Sequence, residues 1–329
     1  MRRIDEKLAK ITSGDYGPRD FLVTFSKDAD MLRGCSATGK DANGRPRPLA
    51  AYRADVKRVI ESDLADIVLT SLSTAEMLAE NGVYSSSNAT PAVRLNDATD
   101  QWRVRGGTYS AQPGIPFRSS RLDAVKPVSN LGLYGITFYN DAELDHATLR
   151  AYCDFRDLST RMGIRHFLQV SDPRVAVATG DHDYGAFRND MLMRSLVGIA
   201  RRERPLFIEV DYHGPAYMEE LAGWHPCRMV VGITGCGAGT TRDCLERLAQ
   251  AEKYGARLAG FSRESFDCED PVLMLQAMRR VIRDGMDSFD AVRAYHDDLK
   301  REMIVPFRAL QDDVELTSPL LKAHASRAA

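Results

Sequence analysis

The sequence offers few features that fix a function outright, and each gap excludes something. Its six cysteines, Cys35, Cys153, Cys227, Cys236, Cys244 and Cys268, are scattered and form no CxxC pair. A disulfide-stapled miniprotein is excluded at this length, and reduced thiols in a cytoplasmic chain are the expectation. The formal net charge is only -2, so no overall basic field marks a nucleic-acid partner. No uncharged apolar run approaches the roughly 20 residues of a membrane-spanning helix. The opening MRRIDEKLAKITSG is charged and lacks the apolar core of a secretory signal. No membrane partner is therefore expected. No GxGxxG follows the first strand-like run, FLVTFSKDADMLRG, although an open nucleotide-binding sheet usually carries one there. HExxH is also missing, as are linkers, low-complexity stretches and short repeats.

What is present is a long alternation. Of 329 residues, 44% are hydrophobic, and apolar strand-like runs recur between helix-like stretches. The runs are FLVTF (21–25), DIVLTSL (66–72), AVRLN (92–96), LYGITFY (133–139), HFLQV (166–170), LFIEV (206–210), MVVGIT (229–234) and LAGFS (258–262). Several are apolar on both faces, as strands of a parallel sheet covered by helices must be. Helices are expected over 48–63, 73–81, 142–162, 184–202, 215–222, 240–254 and 270–283, with Asp270 and Pro271 as an N-cap and first helical residue. Eight strands alternating with helices predict an α/β chain folded as one closed (β/α)₈ TIM barrel, with an open doubly wound sheet as the alternative. The barrel core is expected over 18–285, preceded by a short amphipathic N-terminal helix near 3–12. Residues 98–132 read as a long loop after the third strand, with the character of a lid. Residues 286–329 read as a C-terminal helix followed by a frayed polar tail.

In such a barrel the chemistry sits at the C-terminal ends of the strands. Here those ends are strongly polar: Ser26–Lys27–Asp28, Ser71, Asn96–Asp97, Tyr139–Asn140–Asp141, Ser171–Asp172, Asp211–Tyr212–His213 and Ser262–Arg263–Glu264. The Gly-rich GITGCGAGTTRD (232–243) leads from the seventh strand into a helix. Its backbone N–H groups, with Arg263 from the eighth strand, suit a phosphate, although a plain tight turn explains the glycines too. The stretch LFIEVDYHG (206–214) carries the sharpest question. Glu209 stands in the middle of an apolar strand, where an unpaired charge is costly. The period of two puts Asp211 on the same inward side.

Several of these pieces, taken in order, resemble the archaeal-type class I fructose-bisphosphate aldolases over about residues 20–285. They are ADIVLTSLSTAEMLAENG, TPAVRLNDAT, LYGITFYND, FLQVSDPR and GITGCGAGTTRDCLERLAQAEKYGARLAGFSRE. The resemblance implies a (β/α)₈ barrel and carbon–carbon lyase chemistry on a sugar phosphate. It places Tyr139 at the family's acid/base tyrosine and Gly235, Gly237, Ser262 and Arg263 at its phosphate site. It places Arg94 and Asn96 in the third-strand pattern; these two and His213 are the substrate-binding candidates. The family's Schiff-base lysine lies in a sixth-strand pattern like I-K-x-x-[YW]-x-G, whereas this chain reads I-E-V-D-Y-H-G, with Glu209 in the lysine's place. Ser26 stands where the family keeps a first-strand carboxylate.

Three readings of Glu209 remain open at this stage. In one, the imine forms instead at Lys27, expected near Glu209 at the barrel mouth. In another, Glu209, Asp211, His213, Asp172 and Asp97 hold a divalent metal that polarises the carbonyl. In the third, Glu209 is a general acid/base, or a structural acid paired with an arginine such as Arg94. The catalytic candidates are thus Glu209, Tyr139, Lys27 and Asp211. The expected function is an aldolase-like lyase acting on a phosphorylated or acidic small carbonyl compound, with no cofactor unless the metal reading applies. A non-catalytic sugar-phosphate binder and a metal-dependent lyase or isomerase are the alternatives. Barrels of this kind often assemble, and a homo-oligomer is left open.

Overall fold

The computed structural model describes residues 3–40, 44–234, 239–261 and 268–325. Eight parallel strands close into a barrel: β1 (Leu22–Lys27), β2 (Ile67–Thr70), β3 (Thr90–Arg94), β6 (Leu131–Ile136), β7 (Arg165–Val170), β8 (Ile208–Val210), β9 (Val231–Thr234) and β10 (Leu258–Phe261). β1 closes the ring by pairing with β2 on one side and β10 on the other, Thr24 standing opposite both Ile67 and Gly260. All eight expected strands are present, and the closed ring replaces the open-sheet alternative.

The alternation of side chains along each strand explains why one apolar run serves two cores. Val23, Phe25, Val68, Val93, Leu168, Val170, Ile208, Val210, Val231 and Ile233 belong to the outer core, packed with the helices. The helices of that layer are α3 (Leu49–Ser62), α4 (Leu72–Glu80), α6 (Ala142–Met162), α7 (Tyr184–Val197), α8 (Pro215–Trp224), α9 (Thr241–Lys253) and α10 (Pro271–Asp284), with two short turns of helix, α2 (Ala29–Arg33) and α5 (Leu122–Val125), in the loops. Asp141 caps α6 through Glu143 N and Leu144 N, and Asp270 caps α10 through Val272 N and Leu273 N, with Pro271 next to it as the sequence predicts.

The inward set is divided by height. Leu22, Ile67, Leu69, Ala92, Leu131, Leu133, Phe167, Phe207, Val230 and Leu258 form a second core inside the lower barrel. The N-terminal helix α1 (Arg3–Ser13) plugs that end with Ile4 and Ile11. Its buried Lys7 pairs with Asp66 at 2.9 Å and donates to the Phe21 carbonyl, so the ion pair is satisfied rather than stranded. Above this floor the inward positions turn polar or bare: Thr24 and Ser26 on β1, Arg94 on β3, Gly135 on β6, Gln169 on β7, Glu209 on β8, Thr234 on β9 and Gly260 on β10.

Two regions differ from the sequence reading. The long loop 98–132 begins and ends in order: β4 (Asn96–Ala98) pairs antiparallel with β5 (Pro116–Arg118). An aromatic cluster holds this hairpin, the Trp102 ring meeting Tyr109 and Phe117 edge-on while its Nε1–H donates to Asp97. The tail is not frayed up to residue 325. After α11 (Ser288–Arg301) it forms α12 (Leu310–Asp313) and α13 (Pro319–His324), and buries Val314, Leu316 and Leu321.

Candidate active site

Glu209 sits on β8, the sixth barrel strand, opposite Gln169 of β7 and Gly232 of β9. Its side chain lies inside the barrel and is 1% exposed. A methyl group added at Gly260 would come within 2.5 Å of Oε1, so the bare position on β10 is what lets the carboxyl lie across the interior. Oε2 accepts one long hydrogen bond from Gln169 Nε2 (3.4 Å), and Gln169 itself turns to Thr234 Oγ1 at 2.7 Å. Oε1 has no hydrogen-bond partner among the described residues. Burial, with a smaller contribution from the nearby Asp28 carboxylate, pushes the Glu209 acid up to about 8 against the weak opposing pull of Gln169. A carboxyl in this state is largely protonated at neutral pH. That answers how an apolar strand carries it.

The arginine expected to neutralise Glu209 is engaged elsewhere. Arg94 Nη1 pairs with Asp28 at 2.9 Å, and its Nε donates to the Asn96 carbonyl. Asn96 uses its amide as a piece of strand, donating to the Gly135 carbonyl and accepting from the Gly135 N–H, both at 2.7 Å. It ties β3 to β6 at the point where the backbone leaves for the hairpin.

Lys27 departs from its expected position. It continues the outward alternation of Val23 and Phe25, so its side chain enters the helix layer. Nζ lies 3.7 Å from Asp55 of α3 and over the Tyr52 ring. The structure does not bring Lys27 and Glu209 together. Burial lowers the Lys27 pKa, with Asp55 opposing.

Tyr139 lies just beyond β6 and is buried. Its hydroxyl donates to Asp100 Oδ2 (2.8 Å) and accepts from Gly114 N–H (2.7 Å), so both faces of the phenol oxygen are held by the hairpin loop. Burial first, and Asp100 second, push this phenol well above its ordinary value. A shallow cleft opens beside it over β3, β6 and β7, lined by Arg94, Asp97, Gln101, Gly135, Tyr139 and Ser171 among others. Gly135 leaves room in the cleft floor, since a side chain there would meet nothing closer than 3.7 Å. Its neighbour across the sheet is Gln169, the residue that touches Glu209.

On the other side of the mouth, Asp211 Oδ2 accepts the Asp172 N–H at 2.9 Å, and His213 Nε2 meets Asp172 Oδ2 at 2.6 Å. Burial and the adjoining Asp172 carboxylate hold Asp211 above the usual carboxylate range. Among the described residues no three His, Cys, Asp or Glu side chains gather as a metal-ligand group. The donors of the metal reading are spread around the mouth: Asp97 serves Trp102, while Asp172 serves His213.

The phosphate candidates Gly235, Gly237, Ser262 and Arg263, like Cys236, lie outside the described residues. The helix that follows the Gly-rich loop has two of its first-turn donors occupied. Thr241 N–H donates to Asp313, and Asp243 N–H to Thr240 Oγ1. A carboxylate from the tail thus takes the place at the α9 N-terminus that an anion would take. Sequence reasoning missed Gln169, Thr234, Asp100 and Arg188. The first two follow from the same alternation that placed Glu209. Nothing local marks the other two, because their partners come from distant segments.

No protein-family model matches the chain, and no curated protein matches it. Solved structures do match. One is an archaeal fructose 1,6-bisphosphate aldolase, with a TM-score of 0.58 at 12% identity over 85% of this chain and 98% of that one. The shared fold is a closed (β/α)₈ barrel. The fructose-bisphosphate aldolase from Slackia heliotrinireducens is similar too, with a TM-score of 0.64 at 12% identity over 90% of each chain. So is an archaeal fructose-1,6-bisphosphate aldolase with its catalytic lysine covalently bound to the carbinolamine intermediate of the substrate, at a TM-score of 0.56, 15% identity and 85% and 99% coverage. At such identities the likeness is one of fold. Among the described residues no helix is long and apolar enough to cross a membrane.

Proposed function

We propose that the chain is an aldolase-type lyase that enolises a phosphorylated or acidic small carbonyl compound without forming an imine. Glu209 takes the lysine's place in that chemistry as an acid. The observation that carries this reading is its buried, inward-facing carboxyl with one oxygen unpartnered among the described residues, an acid that burial pushes up to about 8. An imine makes a carbonyl easier to enolise by supplying a positive charge. A neutral carboxylic acid does the same work by giving its proton to the carbonyl oxygen as the enol forms, and it recovers the proton on reversal. A pKa near the working pH suits both directions. The cleft over Gly135 would give the substrate an approach one strand away, since Gly135 pairs with the Gln169 that touches Glu209, and Arg94, which keeps its pair with Asp28, lies on its wall. The phosphate itself would be held by Gly235, Gly237, Ser262 and Arg263, as the aldolase resemblance implies.

The test is hydrogen exchange in D₂O with dihydroxyacetone phosphate, a small phosphorylated ketone, followed by proton NMR. Wild type is expected to exchange a hydrogen next to the carbonyl, and Glu209→Gln to do so at least ~10²-fold more slowly. Borohydride is expected to trap no adduct. A trapped lysine, or a Glu209→Gln variant as fast as wild type, overturns the reading.

One set of observations favours a second reading, a non-catalytic sugar-phosphate binder. Tyr139, Arg94 and Lys27 are each engaged by protein partners, Asp100, Asp28 and Asp55. That reading predicts binding of the same ketone phosphate with no exchange.

A further inference from the structure

If Glu209 gives a proton to the carbonyl oxygen, another group has to take the proton that leaves carbon. We propose that His213 is that base and that Asp172 is its positioning residue. The inference rests on the enolisation reading above and extends it to the other half of the step.

The geometry supports a built pair. His213 Nε2 and Asp172 Oδ2 are 2.6 Å apart. With Nε2–H donated to the carboxylate, the lone pair of the neutral ring is on Nδ1, which makes no hydrogen bond among the described residues. Asp172 is fixed in turn. Its N–H donates to Asp211 Oδ2, and its Oδ1 lies 3.8 Å from the Arg188 guanidinium. Arg188, 1% exposed, is anchored by the Asp211 carbonyl at 2.6 Å and by Asn189 Oδ1 at 3.2 Å. The buried guanidinium thus sets a positive charge beside the Asp172 carboxylate without hydrogen-bonding to it.

The backbone around the histidine is set as closely. Gly214 follows it at φ 100°, a conformation open to glycine, and Leu320 of α13 would stand 3.1 Å from any side chain placed there. Gly185 of α7 admits the His213 Cβ, which would lie 3.1 Å from a methyl at that position. The imidazole is 24% and the Asp172 side chain 33% exposed, so a small molecule at the mouth can reach the pair while Arg188 behind it stays packed.

The step balances. The carbon–hydrogen bond next to the carbonyl breaks and His213 Nδ1 takes the proton. The bonding pair becomes the carbon–carbon π bond, and the carbonyl π pair moves to oxygen, which takes the proton from Glu209. The enzyme is left with an imidazolium beside Asp172 and a Glu209 carboxylate. Returning the protons restores both groups, with a deuteron on carbon if the solvent is D₂O. Asp172 holds the tautomer that leaves Nδ1 free.

The experiment combines the exchange assay with NMR of the imidazole. Asp172→Asn is expected to lower the exchange rate at saturating dihydroxyacetone phosphate by ~10- to 10²-fold, with KM within about twofold. The low-field Nε2–H resonance of His213 should disappear in the same variant. His213→Ala should lose exchange to a similar degree and regain part of it with added imidazole, a recovery that a purely structural role would not give. The Asp172→Asn/His213→Ala double variant should be no slower than His213→Ala alone. Exchange unchanged in Asp172→Asn, losses that multiply in the double variant, or no recovery with imidazole would overturn the pair. A wild type that exchanges, with Glu209→Gln slow and both rim variants fast, overturns the pair and leaves the Glu209 reading standing. A wild type that exchanges nothing overturns both.

Discussion

Glu209 carries a consequence that can be read without any substrate. Its acid is held up to about 8 by burial, while in the unfolded chain it returns to about 4.3. Between those values the folded state binds more protons than the unfolded one, so stability falls as pH rises through the window. The full contribution is present below about pH 4.3 and is gone above about pH 8, on the order of a few kcal/mol. Glu209→Gln removes the titration and keeps the Gln169 contact. Thermal melts should show the variant gaining on wild type as pH is raised from 5 to 9; parallel profiles would count against a buried neutral acid. Glu209 was legible in the sequence because an acid in an apolar strand breaks the pattern. Gln169 and Thr234 obey the same alternation but are ordinary polar residues, and only the structure shows them meeting the carboxyl's neighbourhood. The direction of Lys27 also lay in that alternation: three residues of β1, Val23, Phe25 and Lys27, share the outward face. Lys27→Met should therefore reduce exchange far less than Glu209→Gln in the same assay.

The elements read from apolar runs are those that the barrel fixes, and their ends are where the reading falls short. The third strand begins at Thr90 and stops at Arg94, earlier than AVRLN suggests, since Asn96 leaves to pair with Arg118. Strands of three residues such as β4 and β5 have no periodicity to detect; what stabilises them is Trp102 packed on Tyr109 and Phe117. This hairpin is latched to the barrel by the Tyr139 hydroxyl. Tyr139→Phe leaves the fully buried Asp100 without that donor and Gly114 N–H without an acceptor, at a cost of about 1–3 kcal/mol. Urea unfolding should show the loss, and limited proteolysis should cut the hairpin loop faster than in wild type. An unchanged cleavage rate would mean that the aromatic cluster alone holds the loop.

At the scale of the molecule, the C-terminal segment binds the barrel's upper rim together in a way the sequence conceals. Asp313 caps α9 and meets His296 of α11 at 3.0 Å, Asp243 of α9 accepts the Thr317 and Ser318 N–H groups, and Leu321 is fully buried. The contacts to α9 are side-chain-to-backbone bonds across some seventy residues of chain (Thr241 to Asp313 spans 72), and polar composition alone suggests fraying. Truncation after Ala309 should lower stability on the order of 5 kcal/mol, seen as a large fall in Tm; a shift of only a degree or two would mark the segment as dispensable. The closed barrel also explains how an acid can stand in an apolar strand here. Its lower interior is a plugged apolar core, its upper interior is polar, and Glu209 sits where that polar layer is still closed to water. The most direct test is difference infrared spectroscopy of wild type against Glu209→Gln across pH. The account predicts a protonated-carboxyl carbonyl band at pH 6 that is absent in the variant and fades in wild type as pH passes about 8. A wild-type spectrum with no such Glu209-dependent band at pH 6 would contradict it.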